Sequence, residues 1–76
     1  MAIAHCEQAI GAAQRAKTPD LEADAWARLG CLHENSHNIS AAIQSYLSAQ
    51  QRYRDINKNS DALDLAEHIR TLEKQI

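Results

Sequence analysis

Phenylalanine is absent, and one tryptophan with two tyrosines makes up the whole aromatic complement, 4% of the chain. That excludes a thick core of large side chains. Apolar content comes instead from 14 alanines together with leucine and isoleucine. Alanine is the strongest helix former but buries little area, so this composition favours closely packed helices. No apolar run approaches the roughly 18 residues of a membrane span. Residues 1–16 lack the basic start and continuous apolar block of a secretory leader. Neither sign of charge dominates: the net charge is −2 with both signs interspersed. A nucleic-acid-binding surface would carry a clear basic excess. The expected setting is therefore soluble and cytoplasmic, with no nucleic acid and no membrane as partner. Cysteine is scarce as well. Cys6 and Cys31 form no disulfide framework and are expected as buried or half-buried thiols in a reducing compartment.

Seventy-six residues make one small domain at most. A core of this size supplies only about 3–5 kcal/mol, so such chains lean on staples or partners. Apolar residues recur at helical spacing in four segments. The first, residues 2–17, carries Ile3, Cys6, Ala9, Ile10 and Ala13, with Gly11 inside it and Arg15 and Lys17 at its end. Thr18-Pro19-Asp20 then breaks and restarts the chain. Thr18 is placed to cap, Pro19 suits the first helical position, and Asp20 and Glu22 put negative charge in the first turn. The second helix runs to about Asn35, with Leu21, Ala25, Trp26, Leu29 and Leu32 as its apolar face and Asp24 and Arg28 as an i,i+4 ion pair. Asn35-Ser36-His37-Asn38 is a polar turn in which the two asparagines tolerate left-handed backbone, and Asn38 is placed to cap the third helix. That helix spans about 39–55. Asn57-Lys58-Asn59-Ser60 is the next break. The fourth helix starts at Ser60-Asp61 and runs to about Gln75, with Leu63, Leu65, Ala66, Ile69 and Leu72 on its apolar face.

One stretch organises the rest. Trp26, Leu29, Gly30 and His33 are followed by Ala42, Tyr46 and Ala49. Glycine within a helix costs roughly 1 kcal/mol relative to alanine, so Gly30 implies a steric need for no side chain. Gly30, Ala42 and Ala49 would let two helices approach closely, while Trp26, Leu29, Ile43 and Tyr46 fill the space around them. In order and spacing these residues resemble the tetratricopeptide repeat, a helix–turn–helix unit with Trp, Leu, Gly and Tyr on one helix and Ala and Phe on the next. His33 stands where the family has Tyr and Tyr46 where it has Phe; the usual turn glycine is missing. The resemblance implies an all-α, antiparallel, right-handed superhelical array of four helices that holds another polypeptide and needs no cofactor.

A shift of 40 residues overlays the chain on itself: Ile3 meets Ile43, Ala9 meets Ala49, Asp24 meets Asp64, Leu29 meets Ile69 and Leu32 meets Leu72. The chain reads as a half repeat at 2–17, a full repeat at 20–56, and a half repeat or capping helix at 59–75. That period is longer than the family's usual ~34 residues and resembles its long-repeat group. Cys6 is the smaller counterpart of Tyr46, and Arg70 replaces Gly30, reading as a solvating feature at the carboxyl-terminal end. The amino-terminal edge has no such feature, so Ile3, Cys6 and Ile10 are expected to lie open and to drive self-association into a homo-oligomer. With about two repeats where at least three are usual, the chain is expected to be a piece of a longer array or a small self-associating protein. Met1, one residue before a helix, hints at a trimmed or engineered start.

In the family the first helix of each repeat lines the concave face. The resemblance therefore puts Asp24, Ala27, Cys31 and Glu34 of the second helix on a protein-binding surface, with Asp64, Glu67 and Thr71 of the fourth. Chaperone-binding members hold a terminal carboxylate with Lys, Arg and Asn at such places; this chain has Ala27, Cys31 and acidic neighbours. Their charge favours a basic or neutral segment. Alternatively these carboxylates are a solvated helix face. Metal chemistry has little to stand on, because Cys31, His33 and His37 cannot converge from one helix and its turn. No phosphate loop, nucleophile elbow or His-Glu-x-x-His run is present, so no enzymatic activity is expected.

Overall fold

The structure is a computed structural model that describes residues 2–76; Met1 lies outside the described residues. Four helices follow one another: α1 (Ala2–Ala16), α2 (Pro19–Asn35), α3 (Ile39–Asp55) and α4 (Asn59–Glu73). No strand occurs among the described residues. Each helix packs on its sequence neighbour. The pairings run in opposite directions, for example Glu22 against Arg52 and Glu34 against Tyr46, so the helices are antiparallel. The backbone occupies 35 × 30 × 11 Å. A helix is itself about 10–12 Å across, so the helices form a thin, slightly folded layer. Its core lies in strips between neighbours, and each helix keeps a face toward solvent.

Three turns of one design set this geometry. Lys17, His37 and Asn57 have positive φ of 56°, 63° and 63°, each twenty residues from the next. At each turn the left-handed residue's N–H bonds three residues back and the following N–H five residues back: Thr18 to Ala13, Asn38 to His33 and Lys58 to Tyr53. This Schellman closure satisfies the carbonyls left over at a helix end. Glycine usually takes the left-handed place, because a Cβ costs roughly 1–2 kcal/mol there. Here Lys, His and Asn carry that strain. His37, rather than Asn35 or Asn38, is the left-handed residue of the second turn.

Helix starts differ from expectation. Thr18 and Asn38 occupy the cap positions, but neither makes a side-chain cap bond. The Thr18 hydroxyl donates back to the Ala13 carbonyl instead. α4 begins at Asn59 with Lys58 before it, one residue earlier than Ser60 would give. In each case the backbone carbonyl of the cap residue accepts the first helical N–H.

The α2–α3 contact is where side chains are smallest. Ala23, Ala42 and Ala49 are fully buried, and a Cβ on Gly30 would stand 2.8 Å from two ring carbons of Tyr46. Gly30 therefore makes room for a tyrosine ring. Trp26 bridges the α1–α2 strip and the α2–α3 strip but is only half-buried. Leu29 is buried with Ile10 and Ala25, and Leu72 and Ile69 with Ala42 and Tyr46.

The amino-terminal edge is partly covered. Ile10 is only 6% exposed, and Ile3 and Cys6 pack half-buried against the same cluster on α2. The helical stripe that carries them turns inward because α2 is the only apolar surface α1 meets. Two leucines assigned to apolar faces point outward: Leu21 is 56% and Leu63 is 65% exposed. Both lie on helix faces that no described element covers.

Candidate functional site

A groove of about 550 Å³ runs between α2 and α4. Ala27, Arg28 and Cys31 come from α2, Leu65 and His68 from α4, and Tyr46 of α3 reaches into it, with Cys6 of α1 at the far side. The backbones of α2 and α4 do not touch. Their side chains meet across α3, where His68 Nε2 lies 2.9 Å from Glu34 Oε1. Tyr46 of α3, buried between the two helices, closes the groove from below.

Four polar groups converge at its base. The Tyr46 hydroxyl lies 3.0 Å from Glu34 Oε1 and 3.2 Å from Cys31 Sγ. It has one proton to give, and the carboxylate is the stronger acceptor, which leaves the hydroxyl oxygen free to accept from the thiol. The His68 ring stands edge-on to the Tyr46 ring, with centroids 5.1 Å apart. The His68 hydrogen bond holds the Glu34 carboxyl below the usual carboxylate range; partial burial opposes this, and the Tyr46 bond adds to it. Burial pushes the Tyr46 phenol well above its ordinary value, reinforced by its bonds to Cys31 and Glu34. Tyr46 therefore stays a neutral donor at physiological pH.

A second polar centre stitches three helices together. Glu22 is only 6% exposed. Its Oε2 accepts from Gln14 Nε2 of α1 at 3.2 Å, Trp26 Nε1 at 3.1 Å and Arg52 Nε of α3 at 3.1 Å. A buried carboxylate is tolerable only when donors replace its water, and here three do. Two residues along α2, Asp24 Oδ1 accepts from the Tyr53 hydroxyl at 2.7 Å. Burial and the Asp24 bond raise the Tyr53 phenol above its ordinary value. Asp24 is thus engaged by Tyr53 and forms no ion pair with Arg28.

Of the residues assigned to a binding surface, Ala27 and Cys31 line the groove, and Glu34 lies beneath it through Tyr46 and His68. Asp24 lies outside this groove. Asp64, Glu67 and Thr71 are exposed on α4 without lining it, and the Thr71 hydroxyl bonds to the Glu67 carbonyl. Leu65, His68, Arg28 and Tyr46 take the places along the walls. His68 was legible in part: Asp64 and Thr71 sit one turn to either side of it. Glu22 gave no signal beyond a first-turn acid. Cys31 is exposed and Cys6 half-buried, and both are free thiols.

A second groove of about 470 Å³ lies between α1 and α2. It is walled by Ala9, Ala13 and Ala16 of α1 and by Leu21, Asp24, Ala25 and Arg28 of α2, and it adjoins the first at Cys6 and Arg28. Among the described residues, no three His, Cys, Asp or Glu side chains are placed to share a metal ion. No described helix is long and apolar enough to cross a membrane. Comparison with protein-family models, with curated proteins and with solved structures finds no match to this chain.

Proposed function

We propose that this chain is a protein-interaction module that holds a segment of another polypeptide in the α2–α4 groove and carries out no chemistry of its own. The observation that carries this reading is the groove itself: apolar walls, a fixed tyrosine and histidine, and about 550 Å³ of space. Concave apolar sites with a few convergent polar groups are the usual form of a binding surface. The tetratricopeptide-like arrangement of Trp26, Leu29, Gly30, Ala42, Tyr46 and Ala49 supports the same reading, with the helices as part of a right-handed superhelical array. Asp64 and Glu67, exposed elsewhere on α4, favour a neutral or basic segment with one apolar anchor, and Arg28 is the charged residue on the groove wall itself. Two free thiols without a disulfide fit a cytoplasmic setting. The alternative is self-assembly through Ile3, Cys6 and Ile10; Ile10 is covered by α2, while Ile3 and Cys6 are half-buried and Cys6 lines both grooves.

The test is a titration of isotope-labelled protein, followed by amide NMR, with leucine-containing decapeptides of basic, neutral and acidic flanks. The expected result is a saturable shift at Ala27, Cys31, Leu65 and His68 for the basic or neutral set, lost in Ala27→Arg. Shifts confined to other faces, or no saturation with any set, would overturn the reading.

A further inference from the structure

The α1–α2 groove has an occupied counterpart inside the same molecule. Moved 40 residues along, its walls become the surface that α2 covers. Ala9, Ala13 and Ala16 become Ala49, Tyr53 and Ile56 of α3 and its end; Ala25 becomes Leu65, Arg28 becomes His68 and Cys6 becomes Tyr46. Ala49, Tyr53, Ile56 and Leu65 form one cluster with Ala23 of α2. Tyr46 packs against Gly30, and His68 bonds Glu34. A helix therefore already sits on the α3–α4 version of this surface. On the α1–α2 version Ala9 is exposed where Ala49 is fully buried.

We propose that the α1–α2 groove seats an amphipathic helix of a partner polypeptide, bearing aliphatic residues on its buried face and a carboxylate one turn or more further on, against Arg28. Three features define this occupant. First, the surface is smaller at four of these six counterparts: Ala13 for Tyr53, Ala16 for Ile56, Ala25 for Leu65 and Cys6 for Tyr46. The incoming helix must supply the bulk that α2, with Ala23 and Gly30, does not need. Second, Ala13 has no hydroxyl where Tyr53 has one, so no acceptor is required at the place of Asp24. Third, Arg28 is exposed and has no ion pair among the described residues. It stands where His68 meets Glu34, so the occupant needs an acid there. The α4 helix of a second copy fits poorly. At the places of Ala23, Ala27 and Gly30 it presents Leu63, Glu67 and Arg70, and at the place of Glu34 stands Lys74, the residue that follows the helix. One leucine suits the surface, but Lys74 would face Arg28. This seat shares Cys6 and Arg28 with the α2–α4 groove but is walled otherwise by α1 and the first half of α2, and it stands even if that groove binds nothing.

The probe is a fluorescein-labelled synthetic peptide copying residues 19–37 with Ala23→Leu and Gly30→Leu. The leucine at position 30 keeps it from displacing the chain's own α2, because Tyr46 leaves no room there. Fluorescence anisotropy against the full chain is expected to saturate. A peptide with Glu34→Lys should bind about tenfold or more weakly, and Arg28→Glu in the protein should restore the reversed peptide. Ala12→Trp, at an exposed groove position, should abolish binding while the circular dichroism stays unchanged. Absence of saturation, or binding that ignores both Ala12→Trp and Arg28→Glu, would overturn the proposal. So would concentration-dependent assembly of the chain alone that Leu63→Glu dissolves, since the occupant would then be a second copy.

Discussion

Glu22→Gln tests whether the buried carboxylate holds the layer together. The substitution keeps the shape and removes the charge. Three donors then bond to a neutral oxygen; bonds to charged groups contribute about 1.5–3 kcal/mol and neutral ones about 0.5–1.5. The Arg52 part is discounted, because that side chain is 42% exposed and the pair is screened on one side. Removing a buried charge also relieves desolvation, which works in the opposite direction. The net expectation is a loss of about 1–2 kcal/mol, a large share of the ~3–5 kcal/mol that a core of this size supplies. At about 4–8 °C per kcal/mol for a domain this small, the melting temperature falls by roughly 5–15 °C. The assay is thermal unfolding by circular dichroism at 222 nm on Glu22→Gln, Arg52→Gln and the double variant. A coupling of about 1 kcal/mol between the two positions is expected. If Glu22→Gln melts at or above the wild-type temperature, desolvation outweighs the three bonds and the carboxylate is not a stabilising hub.

Other substitutions separate the two glycines and the turns. Gly30→Ala should destabilise by about 1–2 kcal/mol, because overpacking against the pinned Tyr46 ring exceeds the helix-propensity gain. Gly11→Ala meets only the Arg15 guanidinium at 3.4 Å and should stabilise by about 0.5–1 kcal/mol, both read from urea unfolding followed by circular dichroism; equal effects at the two sites would refute the contact. His37→Gly should stabilise by about 1 kcal/mol by relieving left-handed strain, and a loss of stability would show that the histidine makes an unseen contribution. The Glu34 carboxyl is lowered in the folded state, so its contribution is fully present above the unfolded glutamate range and is lost as pH falls through the folded value. Glu34→Gln should therefore be less stable at neutral pH and lose less further stability on acidification than wild type, measured by helicity between pH 6 and about pH 2; identical acid profiles would exclude the clasp. Both tyrosines are raised, so their contribution is present below about pH 10 and lost as pH rises beyond it. Absorbance at 295 nm should show them ionising together with loss of helicity, and early, non-cooperative ionisation would contradict their burial.

What the chain determined by itself was local and periodic. Alanine content, helical spacing and polar breaks marked four helices, to within about one residue at the start of α4. Gly30, Ala42, Ala49 and Tyr46 were legible as a close contact, because a mid-helix glycine is costly unless something needs the space. The 40-residue offset also read directly, and the turns at Lys17, His37 and Asn57 repeat it in the backbone. Tertiary structure decided which face of each helix finds a neighbour. Periodicity groups Ile3, Cys6 and Ile10 on one stripe but cannot say whether α2 covers it, and it cannot tell covered Leu29 from exposed Leu63 at the open edge. Groove walls are likewise a product of which side chains of α2 and α4 meet across α3. Leu65 and His68 therefore line the site while Asp64, Glu67 and Thr71, on the same helix, do not. The Glu22 centre was invisible in one dimension, because its donors Gln14, Trp26 and Arg52 lie on three helices. Only packing brings them within 3.2 Å of one oxygen, and only their convergence makes burying that charge tolerable.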